Sequence, residues 1–320
     1  MSQHAASTAG LGSALPGSAS QPGYFPPGSV LRRIHRERIV GLLYGQRALA
    51  LGALDPRNFV GTRTHTRYAD RPFHRLAATG KMFEEIFFGS KADADRVLAA
   101  VHRMHLTVKG ELPEDAGRMP AGTPYSAYDP ELMLWTIAPA ADSAVYFYEL
   151  FVRKLSEAER DAFWSDYVRF GELFGMPTSV APGSWAEFRE YVDSKVNGPD
   201  AHLTEEARFV GSAVMFEIPT ARSRWPAMRV HNVVMKASLP ERAREHYRLR
   251  FTAADAAASR AAVVAARALR PLTPRSVLRG RCTAYFDDVD AAERRMLARG
   301  KTAPGSLPRL EAAMSAQRDA

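Results

Sequence analysis

The stretch SKADADRVLAAVHRMHLTVKG, residues 90–110, reads as one amphipathic helix that carries its own start and stop signals. Ser90 is the N-cap, Asp93 three residues on completes a variant of the capping box, and Lys109 with Gly110 closes the far end. With about 100° per residue and Val97 set at zero, Val101, Met104 and Val108 fall within about 40° of one line, which predicts the buried stripe. His105 then lies at about 80°, at the edge of the stripe beside Leu98, and His102 at about 140°, on its rim. Where such a pattern recurs along a chain, it sets the fold class.

Here it recurs. DPELMLW, residues 129–135, has Asp129 as N-cap and Pro130 at the first helical position, where a missing N–H costs nothing. SEAERDAFWSDYVRFGELFGMP, residues 156–177, repeats the logic with Ser156 and Glu159 and stops at Gly175 and Pro177. Apolar periodicity predicts further helices at about 30–54, 71–88, 184–196, 203–211, 240–248, 253–269 and 286–299. Strand signals are almost absent, and PEDAGRMPAGTPYSAYDP, 113–130, reads as a long connection. The expected architecture is all-α, a single multi-helix domain over about 29–300, with a disordered low-complexity tail at 1–28 and a flexible tail at 301–320. The most apolar run, LMLWTIAPAADSAVYFY at 132–148, is interrupted by Pro139, Asp142 and Ser143 short of the roughly 18 residues of a membrane span. It is expected to be a kinked core helix, with Leu134 and Trp135 in the core.

The 320-residue chain is 46% hydrophobic, enough for a substantial core, and its single cysteine, Cys282, excludes an intramolecular disulfide or a cysteine-cluster metal site. A formal charge of +8 raises the question of nucleic acid, but the basic residues are mostly arginines dispersed through helices such as LRRIHRERI and ERAREHYRLR. No recognition motif accompanies them, so nucleic acid is not an expected partner. The N-terminal stretch shows neither an apolar signal core nor a twin arginine, which points to a cytoplasmic protein without a transmembrane segment.

A neutral imidazole among apolar side chains must satisfy its ring nitrogens or incur about 1–3 kcal/mol of desolvation. A hydrogen bond to a carbonyl or carboxylate does this in the ordinary case, and a metal does it in a functional one. Zinc suits His102 and His105 poorly, because the pair lacks the i, i+4 spacing of HExxH and no third ligand stands nearby. A haem iron needs one proximal imidazole and an apolar slot, which suits His105.

From about Arg32 to Asn197 the chain resembles the catalytic domain shared by rubber oxygenases (latex clearing proteins) and MpaB-type oxygenases. The likeness is carried by RERIVGLLYGQRALALGALDP, THTRYADRPFHRLAAT, IFFGSKADADRVLAAVHRMHLTVKG, YSAYDPELMLWTIAPAADSAVYFYELFV and LSEAERDAFWSDYVRFGELFGMP, and it continues in LPERAREHYRLRF and RPLTPRSVLRG. The resemblance implies a globin-like all-α core, haem b as cofactor, and an oxygenase that uses dioxygen on an apolar, isoprenoid- or polyketide-like small molecule, by cleavage of a carbon–carbon double bond. The family pattern H-x-x-V-[RK]-G is matched by His105, Val108, Lys109 and Gly110, which implies His105 as the axial iron ligand. An R-x-x-x-T motif is matched by Arg75 and Thr79, which share one helical face and, by the resemblance, the distal side, where a cation and a hydroxyl position dioxygen. Arg75 has two other readings, a structural ion pair or a haem propionate contact. His65, where relatives often carry histidine, is a further cofactor-side candidate, with a structural role near a helix end as its alternative.

Departures from the family pattern accompany these matches. Trp135, Thr136, Ile137 and Ala138 stand where relatives often read WVHA, Leu54, Asp55 and Pro56 stand for AHP, and Ala78 replaces a lysine of rubber oxygenases. They keep the haem histidine and point away from a polymer substrate toward a smaller, diffusible one. They also motivate a second reading, an all-α binding or scaffold protein that keeps the fold without haem.

Overall fold

The computed structural model describes residues 22–318, and among them the expected all-α class holds: fifteen α-helices and one antiparallel ribbon of two three-residue strands. In chain order the helices are α1 (Val30–His35), α2 (Arg38–Gly52), α3 (Pro56–Thr64), α4 (Pro72–Phe88), α5 (Lys91–His105), α6 (Pro130–Phe151), α7 (Glu157–Leu173) and α8 (Trp185–Asn197). They continue as α9 (Glu205–Phe216), α10 (Trp225–Ser238), α11 (Glu241–His246), α12 (Ala253–Leu269), α13 (Arg275–Leu278), α14 (Thr283–Leu297) and α15 (Leu307–Arg318). The ribbon pairs β1 (Lys109–Glu111) with β2 (Pro124–Ser126), Gly110 facing Tyr125.

The core forms around α6. This helix is apolar around almost its whole circumference, which leaves it no solvent face, and it packs most extensively on α2. Asp129 caps it by accepting from the Glu131 and Leu132 N–H groups. Pro139, Asp142 and Ser143 do not interrupt the helix, and Leu134 and Trp135 lie in the core as expected. The two polar residues are satisfied by Arg47 of α2, which donates to Asp142 Oδ2 at 2.6 Å, to Ser143 Oγ at 2.9 Å and to the Ser238 carbonyl at 2.9 Å.

The predicted helix at 30–54 is two helices. Glu37 takes an extended conformation between α1 and α2, and its carboxylate, 1% exposed, is held by Arg270 at 2.7 Å and Arg279 at 2.8 Å. A distant ion pair therefore sets this break. Helices α3 and α10 were not predicted from periodicity, although each starts with a proline in its first turn, and α3 repeats the Asp-Pro signal of α6 at Asp55 and Pro56.

Helices α4 and α14 pack closely and cap each other. Neither has a side-chain cap of its own at its N-terminus. Glu293, near the end of α14, accepts from the Phe73 and His74 N–H groups at 3.0 and 2.8 Å, and Glu84, near the end of α4, accepts from the Cys282 N–H and from Thr283 Oγ1. Carboxylates thus satisfy first-turn amides of α4 and the N-cap amide of α14 from the antiparallel partner helix. Between them Gly80 leaves room for the Phe286 ring, which a Cβ would meet at 2.6 Å.

The stretch expected as a C-terminal tail carries α15, tied down by the Leu307 N–H donating to the Ala69 carbonyl at 3.0 Å and by buried Leu310. Most of the tail expected at 1–28 lies outside the described residues; within it, Phe25 is buried with its ring edge-on to Phe87 at 5.9 Å. No helix among the described residues is long and apolar enough to cross a membrane.

Candidate functional site

Helix α5 places the two histidines differently from the wheel drawn on Val97. The buried residues are Ala94, Leu98 and Val101, whereas Met104 is 50% exposed. These three lie at about 60°, 100° and 40°, so His105 at about 80° falls in the middle of the true stripe rather than at its edge. The helix ends at His105, and Val108 leaves it for the ribbon, so His105 is the last inward residue of α5 and stays half-buried.

The His105 ring lies 6.4 Å from that of Phe174 and meets Tyr128 edge-on at 6.0 Å. Its Nδ1 is buried without a hydrogen-bond partner, and no described residue bonds Nε2, which reaches solvent. Burial first, and the neighbouring His102 second, push its pKa below the ordinary value, so the ring is neutral at pH 7. His102 is the opposite case. Its Nε2 lies 3.1 Å from the Leu173 carbonyl, which only accepts, so Nε2 carries the proton and Nδ1 accepts from Tyr128 Oη at 2.9 Å. His102 ties α5 to the end of α7, and its bonding capacity is used up.

On α4, Arg75, Thr79 and Phe83 follow at four-residue steps and drift only about 40° at each, so they share one face. Phe83 packs edge-on to Phe170 at 4.9 Å, Phe170 meets Phe174 at 5.0 Å, and Phe174 lies against His105. An aromatic wall thus runs from the R-x-x-x-T face to the free imidazole. Arg75 sits deep but keeps part of its surface open, and its guanidinium has no ion pair or hydrogen bond among the described residues. Desolvation, and then the charge of Arg63, lower its pKa. The structural ion pair that the sequence allowed for Arg75 is not formed among the described residues. Thr79 Oγ1 donates to the Arg75 carbonyl at 3.0 Å, which leaves its oxygen lone pairs available.

Leu49 is 43% exposed although it belongs to α2, the main partner of α6. One turn earlier a Cβ on Gly45 would meet Leu76 of α4 at 3.9 Å, so α2 and α4 lie side by side at this point. His65 sits at the end of α3 with Nε2 3.3 Å from Tyr125 Oη. Tyr125 lies opposite Gly110, where a Cβ would meet its Oη at 2.7 Å. The structure therefore brings His65 to the ribbon that follows His105 and not to His105 itself. Sequence reasoning did not single out Arg63, Leu49 or Tyr128. Only Arg63 carried a visible hint, standing two places before His65.

Two of the positions that depart from the family pattern serve the fold. Asp55 caps α3 and binds Arg57 at 2.8 Å, and Ile137 is in the core. Among the described residues no group of three or more His, Cys, Asp or Glu side chains could hold a metal ion. The donor set here, one free neutral imidazole and one cation unpaired among the described residues, fits an iron whose remaining ligands would come from a porphyrin, with Arg75 available to a carboxylate of the macrocycle. Two concavities of about 50 and 100 Å³, beside Trp135 and Lys195 and beside Arg224 and Asp288, hold no more than a few waters and are not substrate sites.

The fold and site define a class: a helical protein with an imidazole donor at one end of an aromatic wall and an unpaired cation on the helix face at the other. The chain belongs to the family described as "ER-bound oxygenase mpaB/B'/Rubber oxygenase, catalytic domain", whose model matches residues 32–268. Uncharacterized proteins of Mycobacterium bovis and Mycobacterium tuberculosis are each 29% identical over 152 residues, which is 46% of this chain and 56% of theirs. The match thus spans about half the length of these curated relatives. No solved structure matches the chain.

Proposed function

We propose that this protein is a haem b-dependent oxygenase that acts with dioxygen on an apolar small molecule of isoprenoid or polyketide type. The observation that carries the reading is His105, a neutral imidazole at the end of an aromatic wall whose Nδ1 has no hydrogen-bond partner and whose Nε2 is bonded by no described residue. Membership of an oxygenase family supports the reaction class. His105 would be the residue to hold the iron, its Nε2 being bonded by no described residue. Haem b, when bound, supplies one-electron and dioxygen chemistry. Arg75 contributes positive charge, either to a propionate or beside the reacting oxygen atoms, and Thr79 contributes an acceptor oxygen one turn away. Phe83 and the aromatic wall it begins supply apolar surface that excludes water and receives the substrate. The reaction proposed is cleavage of a carbon–carbon double bond, in which the two atoms of dioxygen become two carbonyl oxygens, so no external reductant is consumed.

The test is the visible spectrum of protein produced with adequate haem. A Soret band is expected in the wild type and in Arg75→Ala, and its loss in His105→Ala with unchanged circular dichroism. A folded, colourless wild type rejects the proposal and favours the second reading, a haem-free binding or scaffold protein. That reading draws on Asp55 and Ile137, which serve the fold where relatives often carry histidine.

A further inference from the structure

The segment between α12 and α14 is built to project apolar side chains. Arg270 and Arg279, which flank it, close on the single buried carboxylate of Glu37, and the Arg36 carbonyl accepts from the Gly280 N–H at 2.9 Å. The lobe so stapled, residues 271–278, presents Leu272 at 81% and Val277 at 56% exposure. Leu269 and Val264 of α12 are likewise exposed, next to Ala261, Ala265 and Ala268. On a wheel centred opposite buried Val263 these residues span about 140° of helix surface, so α12 has an apolar outer face where a surface helix ordinarily carries charge. Contiguous exposed aliphatic surface of this kind marks an interaction site.

The charges around it are mainly positive, although Arg270 and Arg279 are paired with Glu37 and Arg281 with Glu85. From 256 to 286 the chain carries six arginines and no acidic residue. Arg260 and Arg275 have no ion pair among the described residues, and Arg36 is exposed beside Gly280. We propose that this surface, the 271–278 lobe with the outer face of α12, docks the protein on an anionic lipid bilayer. Arginines at the rim meet lipid phosphates and carboxylates, while Leu272, Val277 and Leu269 enter the boundary between headgroups and acyl chains. A second copy of the chain is disfavoured as occupant, because a two-fold contact would set arginines against arginines. Nucleic acid is disfavoured because the projecting side chains are aliphatic and offer no ring for a base to stack on. The inference stands apart from the haem reading, since neither His105 nor Arg75 takes part.

Co-sedimentation of the full chain with vesicles of phosphatidylcholine alone, or of phosphatidylcholine with phosphatidylglycerol, tests it. The wild type is expected to sediment with the anionic vesicles only and to be released by salt. Leu272→Asp and Arg275→Glu are expected to lower partitioning by about tenfold or more with unchanged circular dichroism, because both side chains stand clear of the core. Failure to bind anionic vesicles overturns the proposal, as does binding that both substitutions leave intact. It is equally overturned if the wild type ignores vesicles while the same substitutions abolish either duplex DNA binding at low salt or self-association in sedimentation velocity.

Discussion

His102 and His105 stand three residues apart on one helix, yet one has both ring nitrogens bonded and the other has neither. Helical position already set them on different faces, and their bonding differs because of what faces each ring. His35 shows how strongly such surroundings act. It is fully buried among Tyr44, Phe87, Phe163 and Tyr167, with Nε2 2.7 Å from Tyr167 Oη, and burial lowers its pKa from 6.5 to about 3. Below pH 6.5 the unfolded chain takes up a proton that the folded chain refuses until about pH 3. Stability from this group is therefore complete above pH 6.5 and declines as the pH falls through that window, by at most about 4–5 kcal/mol. His105, shifted in the same direction, adds to the loss. Urea midpoints followed from pH 7 to pH 4 are expected to fall less steeply for His35→Phe than for the wild type, and parallel curves would refute this account.

At the scale of elements, α4 matters most because it carries Arg75 and Thr79 and is held by α14, which lies beyond the family-matched residues 32–268. Glu293 takes the place of an N-cap that the α4 sequence lacks. Glu293→Ala leaves two first-turn N–H groups of α4 unpaired, and the expected cost is about 1–3 kcal/mol. Thermal unfolding checks it: an unchanged midpoint would show that water replaces the carboxylate. The helices with local start signals, such as α5 with Ser90, α6 with Asp129 and α7 with Ser156, were legible in the sequence because cap and periodicity lie within four residues of each other. The break at Glu37 was not, since a good helix former sits there and only the arginines at 270 and 279 pull it out of register.

At the scale of the whole molecule, one buried junction joins four helices. Arg47 of α2 bonds Asp142 and Ser143 of α6 and the last residue of α10, while Arg189 of α8 pairs with the other oxygen of Asp142. Desolvation lowers the Arg47 pKa to about 10, still cationic at pH 7. Arg47→Met leaves the Asp142 carboxylate with Arg189 alone, and the expected loss is about 3 kcal/mol, at the low end for a broken buried pair. The double substitution Arg47→Met with Asp142→Leu is expected to recover part of it, and a double mutant less stable than the single one would show that the junction is worth more than its charges.

The sequence by itself determined the all-α class, the course of the capped helices, and the family pattern that singles out Arg75, Thr79 and His105, because each of these is written in residues a few positions apart. Only the tertiary structure decided that His105 and not His102 is the free imidazole, that Arg75 is left without a carboxylate, and that α4 and α14 cap one another across 220 residues of chain. A hydrogen bond or an ion pair over such separations depends on which helices come to lie side by side, and that is settled by packing over the entire core rather than by any local run of residues.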